Sequence, residues 1–289
     1  IKENLKLKIR VVGISNSRLM FFNENGIDLS NWKELLKSGE KASIDTYFNR
    51  VSSFNLRNSI FIDITANHAV SEMYETYLRR NIAVVTCNKI ACASSSSNYK
   101  MLKNVSRKSN VSFLYETNVG AGLPIIDTLK NLIASGDRVH KIEAVLSGSL
   151  NFVFNKFDAS TTFSSVVKQA MDEGYTEPDP KIDLSGIDVA RKILILARES
   201  GYDMDLEDIE NNSFLSIESL NTNNNEEFYQ SLENDESRFQ MIFQEANAKN
   251  CRLKYVAEFE NGKAKVGLQQ IEPSHSFYNL EGSDNIVLF

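Results

Sequence analysis

Over the first 123 residues, short apolar runs rich in β-branched side chains alternate with stretches of helical spacing. Residues 8–14, 59–64, 82–86 and 111–115 are such runs, which predicts strands buried in a parallel sheet. Between them, residues 69–80 and 99–109 carry the three-four spacing of amphipathic helices. Strands alternating with helices imply an α/β domain of the doubly wound, Rossmann-like kind. Ser94 to Ser97 read as a loop that caps the following helix.

After residue 123 the pattern changes. A helix over 124–134 precedes a strand over 141–146, and two further helices are expected at 224–232 and 238–249. Strands at 253–260 and 263–271 flank Asn261-Gly262, a dipeptide suited to the positive φ angles of a two-residue hairpin turn. The chain therefore divides into residues 1–123 and 124–289, the second part α+β with a sheet able to carry a dimer interface. The asparagine-rich stretch 221–225 reads as an exposed connection without further role.

Between these elements lies Gly174-Tyr175-Thr176-Glu177-Pro178-Asp179-Pro180, followed by Asp183 and by Ser185-Gly186-Ile187-Asp188-Val189-Ala190-Arg191-Lys192. Pro178 and Pro180 fix φ and disfavour helix in the residues before them, so Glu177 and Asp179 sit on a stiff loop. Ser185 or Asp183 is placed to cap a helix whose buried stripe runs through Ile187, Ala190, Ile193, Leu194 and Ala197. Asp188 and Lys192, four residues apart, project from one face of it. Spacing alone leaves two readings open: a site, or an ordinary surface ion pair worth about 0.2–0.5 kcal/mol beside a solvated loop.

Composition narrows the function. The 289 residues suffice for two domains, and 42% hydrophobic and 24% charged residues are ordinary for a globular protein. No apolar run approaches the roughly 18 residues that span a bilayer, and the pattern of a secretory signal is missing, so a soluble cytoplasmic protein is expected. Three scattered cysteines, Cys87, Cys92 and Cys251, fit a reducing compartment. A net charge of −6 argues against a nucleic-acid partner and leaves a small molecule as the expected ligand.

In open α/β sheets ligands bind beyond the carboxyl ends of the strands. Three segments qualify: Asn16 to Arg18, Asp63-Ile64-Thr65-Ala66-Asn67, and Thr86-Cys87-Asn88-Lys89. Arg18, with no acidic residue beside it, suits a ribose 2′-phosphate and favours NADP over NAD. Lys89 ends a buried strand and must face solvent or a partner. No Gly-x-Gly-x-x-Gly follows any of the strands; Gly120-Ala121-Gly122 continues into Leu123-Pro124, which removes the third glycine.

The acidic loop with its helix, Thr117-Asn118-Val119-Gly120-Ala121-Gly122-Leu123-Pro124, and Leu146-Ser147-Gly148-Ser149-Leu150 together closely resemble homoserine dehydrogenase over nearly the whole chain. Ile14-Ser15-Asn16-Ser17 and Gly26-Ile27-Asp28-Leu29 with Trp32 look more like the bifunctional aspartokinase–homoserine dehydrogenase subgroup, which would make the chain the C-terminal part of a longer polypeptide. The resemblance implies a Rossmann-like domain whose glycine-rich first strand and turn lie before Ile1, and a further glycine-rich cofactor contact beyond Phe289. It also implies an NADP- or NAD-dependent oxidoreductase that interconverts homoserine and aspartate 4-semialdehyde in threonine and methionine biosynthesis, working as a homodimer or higher homo-oligomer. Lys192 would move the proton, Asp188 would bind substrate and position Lys192, and Lys89 would be the rival proton carrier. Glu177 would hold the substrate ammonium, with Asp183 and Tyr175 completing the pocket. Thr65, Lys89, Asn16 and Arg18 would contact the cofactor. Glu116 with the carbonyls of Val119, Ala121 and Leu123 would hold a monovalent cation, sodium in the first instance; a turn that merely needs glycine would explain the same residues. A catalytically silent regulatory or dimerisation module of the same fold is the competing expectation, against which the retained Glu177, Asp183, Asp188 and Lys192 speak.

Overall fold

A computed structural model describes residues 3–289, which form two compact units. The first unit comprises the described residues up to Asn88 together with Lys100–Leu114. Its parallel sheet runs β4 (Ile60–Asp63), β5 (Ala83–Thr86), β6 (Phe113–Leu114), with Ile60 opposite Ala83 and Val84 opposite Phe113. Helices His68–Glu72 and Tyr74–Arg79 connect β4 to β5, and the helix Ser96–Ser109 lies between β5 and β6 in the chain. This is the expected α/β, Rossmann-like winding.

Two expectations fail in this unit. Residues 8–12 form no strand, and β1 (Gly13–Ser15) pairs antiparallel with β2 (Leu19–Phe22), itself antiparallel to β3 (Glu40–Lys41). Leu19–Phe22 is an equally strand-prone run three residues away, and closing so short a loop costs little entropy. The parallel strands are also not buried on both faces. Phe61 turns inward and stacks on Tyr77 at 4.1 Å, with Tyr47 and Phe48 beside them, whereas Ile60, Ile62 and Leu114 face outward and are exposed. An apolar run records what a strand tolerates, not which of its faces the unit covers.

The second unit comprises Lys89–Tyr99 and Tyr115–Phe289. Its five-stranded sheet has the order β11 (Ile286–Leu288), β7 (Lys141–Val145), β9 (Arg252–Glu260), β10 (Lys263–Ile271), β8 (Ile209–Asn212), antiparallel except for β8 beside β10. Asn261 and Gly262 turn the β9–β10 hairpin with φ of 51° and 78°, as the dipeptide requires. The helices Gly148–Lys156 and Ile187–Glu199 pack on this sheet. The second is buried more widely than a single stripe, from Ile193 to Arg198 without a break, so it runs through the core and only its first turns reach the surface. The expected exposed connection at 221–225 has a structural role after all: Asn224 caps the helix Asn225–Asn234, accepting from Glu227 N at 2.9 Å, and Asn225 Nδ2 donates to Pro178 O at 2.7 Å.

Candidate active site

The acidic loop is held from several sides. Gly174 turns it with φ of 78°, and the Tyr175 ring stacks on Phe152 at 4.1 Å. Asp183 accepts from Ser149 Oγ (2.9 Å) and from Glu177 N (2.8 Å), and Ser149 Oγ also lies 2.7 Å from Tyr175 O. Asp179 caps the short helix Pro180–Leu184 through Lys181 N at 3.1 Å, and the Lys181 ammonium donates to Thr222 O. Asp183 is therefore the organiser of the loop, and the Glu177 carboxylate is left exposed on a fixed backbone.

The N-cap of the helix that follows is neither Ser185 nor Asp183, contrary to expectation, although Ser185 Oγ accepts from Ile187 N at 3.4 Å. The cap is Gly186, left-handed with φ of 76° and without a side chain to offer. Asp183 is occupied with the loop, and the Ser185 hydroxyl donates back to Ile182 O. A Cβ on Gly186 would stand 2.0 Å from the Tyr255 hydroxyl, so close packing with β9 dictates glycine there.

In the first turn of the helix, Asp188 bridges two cations. Lys192 Nζ lies 2.7 Å from Asp188 Oδ2, and Lys89 Nζ lies 3.3 Å from Asp188 Oδ1. Lys192 Nζ also donates to Leu146 O at 2.7 Å, at the end of the strand segment that leads into Ser147. Burial pushes the Asp188 carboxyl upward, but the ammonium groups of Lys192 and Lys89 outweigh it and hold the group below the usual carboxylate range. An ammonium has three N–H groups. With one on Asp188 and one on Leu146 O, Lys192 retains one for a third acceptor, and its side chain is 16% exposed. The arrangement can present a directed proton donor beside a permanent negative charge.

In the first unit, Thr65 follows β4 at its carboxyl end. The buried Asp63 accepts from Thr65 N (2.8 Å), from the Tyr74 hydroxyl (2.5 Å) and from Asn88 Nδ2 (3.1 Å), while Tyr74 and Asn88 N also meet Thr86 Oγ1, each at 2.8 Å. This network shapes the ends of β4 and β5, and sequence reasoning assigned none of it; a carboxylate terminating a buried strand was the available signal. Asn16 Oδ1 accepts from Arg18 N (2.8 Å) and Leu19 N (2.9 Å), so Asn16 shapes the β1–β2 turn and Arg18 is exposed on it. That turn belongs to the antiparallel hairpin, so Asn16 and Arg18 do not stand at the carboxyl end of a parallel strand.

Glu116 caps a helix: its two oxygens accept from Ile126 N and Asp127 N, each at 2.9 Å, at the start of Ile125–Ala134. Gly120 and Ala121 both have positive φ, 74° and 52°, and a Cβ on Gly120 would meet Ile125 Cδ1 at 2.0 Å. The turn thus needs glycine for packing, and Leu123 O already accepts from Ile125 N at 2.9 Å.

Known proteins place this geometry in context. The family described as homoserine dehydrogenase matches residues 124–289, and the homoserine dehydrogenase NAD-binding domain matches residues 2–116. The chain is 39% identical to a chloroplastic bifunctional aspartokinase/homoserine dehydrogenase 2 of Zea mays, covering 100% of this chain but 32% of that protein. It is 38% identical to a homoserine dehydrogenase of Schizosaccharomyces pombe, over 91% of this chain and 72% of that one. The chain thus spans about a third of the length of the bifunctional relatives it matches. Among solved structures, a Candida auris protein of unknown function superposes with a TM-score of 0.90 at 33% identity, covering 98% of this chain and 82% of that one. A hyperthermophilic archaeal homoserine dehydrogenase in complex with NADPH superposes at 0.70 with 24% identity, covering 96% and 76%, a likeness of fold.

Proposed function

The chain belongs to the homoserine dehydrogenase family, and from that premise we propose that it catalyses the reversible oxidation of homoserine to aspartate 4-semialdehyde, a step of threonine and methionine biosynthesis. The observation that carries the reading is Asp188 between Lys192 and Lys89, with the carboxylates of Glu177 and Asp183 on the adjoining loop. A nicotinamide cofactor, when bound, supplies the hydride acceptor for oxidation and the hydride donor for reduction. The chain's residues fit such a group: the ends of β4 and β5 are fixed by the satisfied Asp63 network, and Thr65 Oγ1 accepts from Asn67 N (3.1 Å), leaving its proton to donate. Lys89 completes the proposed cofactor contacts together with Asn16 and Arg18; although their turn lies on the antiparallel hairpin, Arg18 is exposed and can make a charge-assisted bond to a 2′-phosphate, which favours NADP.

The protein's own part in the chemistry is proton transfer and binding. In the reductive direction the third N–H of Lys192 points to the oxygen that gains negative charge and delivers its proton there. In the oxidative direction the same nitrogen, deprotonated, receives the hydroxyl proton as the carbonyl forms. Asp188 stays ionised throughout, keeps Lys192 aimed, and tethers Lys89 as a second cation near the developing charge. Glu177 binds the substrate ammonium, and Asp183 and Tyr175 hold the wall on which it sits. The proposal extends to a monovalent cation, sodium, at Glu116 and the carbonyls of Val119, Ala121 and Leu123, to cytoplasmic residence, and to a homodimer built on the five-stranded sheet. Among the described residues no helix is long and apolar enough to cross a membrane. A silent module is the weaker reading, because it has no use for two lysines converging on one carboxylate.

The complete natural polypeptide should reduce nicotinamide cofactor only when homoserine is present, and Asp188→Asn should lower kcat about 10²-fold, within the range for an acid–base site. Turnover of Asp188→Asn within twofold of wild type would remove the bridged lysines from the reaction.

A further inference from the structure

The helix that opens with Asp188 and Lys192 closes on Arg198, a buried arginine with no part in the proposed chemistry. Its guanidinium, with a side chain 1% exposed, fans out to three acceptors: Met204 O (3.0 Å), Cys92 O (2.8 Å) and Asp205 Oδ1 (2.9 Å). Cys92 lies in the turn that begins at Lys89, and that turn is closed by Ala93 N donating to Lys89 O at 2.9 Å. Asp205 Oδ1 accepts from Ser96 N as well, at 2.6 Å, and the Ser96 hydroxyl donates to Asp203. A continuous path therefore runs from the end of the helix, through the 89–93 turn, and back to Asp188 at its start by way of the Lys89 ammonium.

The strengths of the two ends of this path differ. Lys89 and Asp188 are 28% and 39% exposed, and a solvent-accessible ion pair on a long, flexible lysine contributes too little to hold a loop in place. Arg198 is desolvated, matched by the Asp205 carboxylate, and engaged through three directed bonds, two of them to backbone carbonyls. We propose that Arg198 is a positioning residue for the active site: by gripping Cys92 O it sets the 89–93 turn so that the Lys89 ammonium reaches Asp188. This rests on the reading of Lys89 as part of the site. Lysine in place of Arg198 keeps the charge but loses the planar fork, so it cannot meet three acceptors in different directions.

The test is a double-mutant cycle on kcat in the complete polypeptide, with Arg198→Lys, Lys89→Met and the two together. Lys89→Met is expected to lower kcat about 10²-fold and Arg198→Lys about 10-fold. If Arg198 acts through Lys89, the double variant falls no further than Lys89→Met alone, within about twofold. A double variant about 10³-fold down, the product of the two losses, overturns the positioning role and leaves the active-site reading standing. Wild-type kcat in Arg198→Lys overturns the role too, whereas wild-type kcat in Lys89→Met removes Lys89 from the site and takes both ideas with it. Should Arg198→Lys not fold, Asp205→Asn serves in its place: it weakens the grip from the other side, and its smaller kcat loss must likewise vanish in the Lys89→Met background.

Discussion

Gly186→Ala is expected to be among the most damaging single substitutions near the site, although it adds one methyl group. At φ of 76°, alanine pays about 1–2 kcal/mol for the left-handed conformation. Its Cβ would stand 2.0 Å from Tyr255 Oη and 2.8 Å from Cζ, so the buried ring must move. That movement breaks the Tyr255 hydroxyl's bond to Asn211 Oδ1 at 3.0 Å and disturbs Asn211, which holds Ser185 O at 2.9 Å. Leaving such buried groups unpaired costs about 1–3 kcal/mol. The combined loss is about 2–5 kcal/mol in unfolding free energy, measurable by urea denaturation, and because Asp188 is two residues on, kcat should fall with it. Tyr255→Phe removes the nearest contact, so the double variant should be less destabilised than the sum of the singles by about 1 kcal/mol. A loss below about 1 kcal/mol for Gly186→Ala, or strict additivity, would refute the packing argument.

Other outcomes follow from the same structure. Burial holds the Lys254 ammonium down to about 8, although Asn151 Oδ1, Asn155 Oδ1 and Leu280 O all accept from it. Below about pH 8 it is charged in both folded and unfolded chains; from there to about 10.5 only the unfolded chain keeps the proton, so stability rises with pH. Wild type should therefore gain up to about 3 kcal/mol relative to Lys254→Met across that window by denaturant titration, and parallel pH profiles would exclude it. Glu177→Gln keeps shape but loses charge, and should raise the KM for homoserine at least about 10-fold while kcat stays within about threefold. A lower melting temperature with unchanged KM would make Glu177 a loop residue only. Arg18→Ala should lower the NADP-to-NAD ratio of kcat/KM by about 10-fold or more, as loss of a charge-assisted phosphate contact implies, and an unchanged ratio takes Arg18 out of the site.

Local rules made much of this molecule legible. The β9–β10 hairpin followed from Asn261-Gly262, and the pairing of Asp188 with Lys192 from their four-residue spacing. What escaped depends on contacts distant in the chain. Gly186 caps its helix because Tyr255 crowds it, and nothing near residue 186 announces that tyrosine. Asn225 reaches Pro178, and Leu146 O reaches Lys192, across 47 and 46 residues. The strand expected at 8–14 failed because hydrophobicity identifies a strand-forming run without naming its partner, and Leu19–Phe22 was nearer than β4. The roles assigned to Lys192, Glu177 and Lys89 came from resemblance, since their spacing alone equally suits a solvated helix face.

Proton transfer by Lys192 is the step on which the proposed reaction turns. Lys192→Ala in the complete polypeptide should lower kcat by about 10²–10⁴-fold, with an unchanged circular dichroism spectrum and with added methylamine restoring part of the rate by occupying the vacated ammonium position. Retention of most of the wild-type kcat, or a loss that no small amine restores, would contradict the claim and pass the proton to Lys89 or to water.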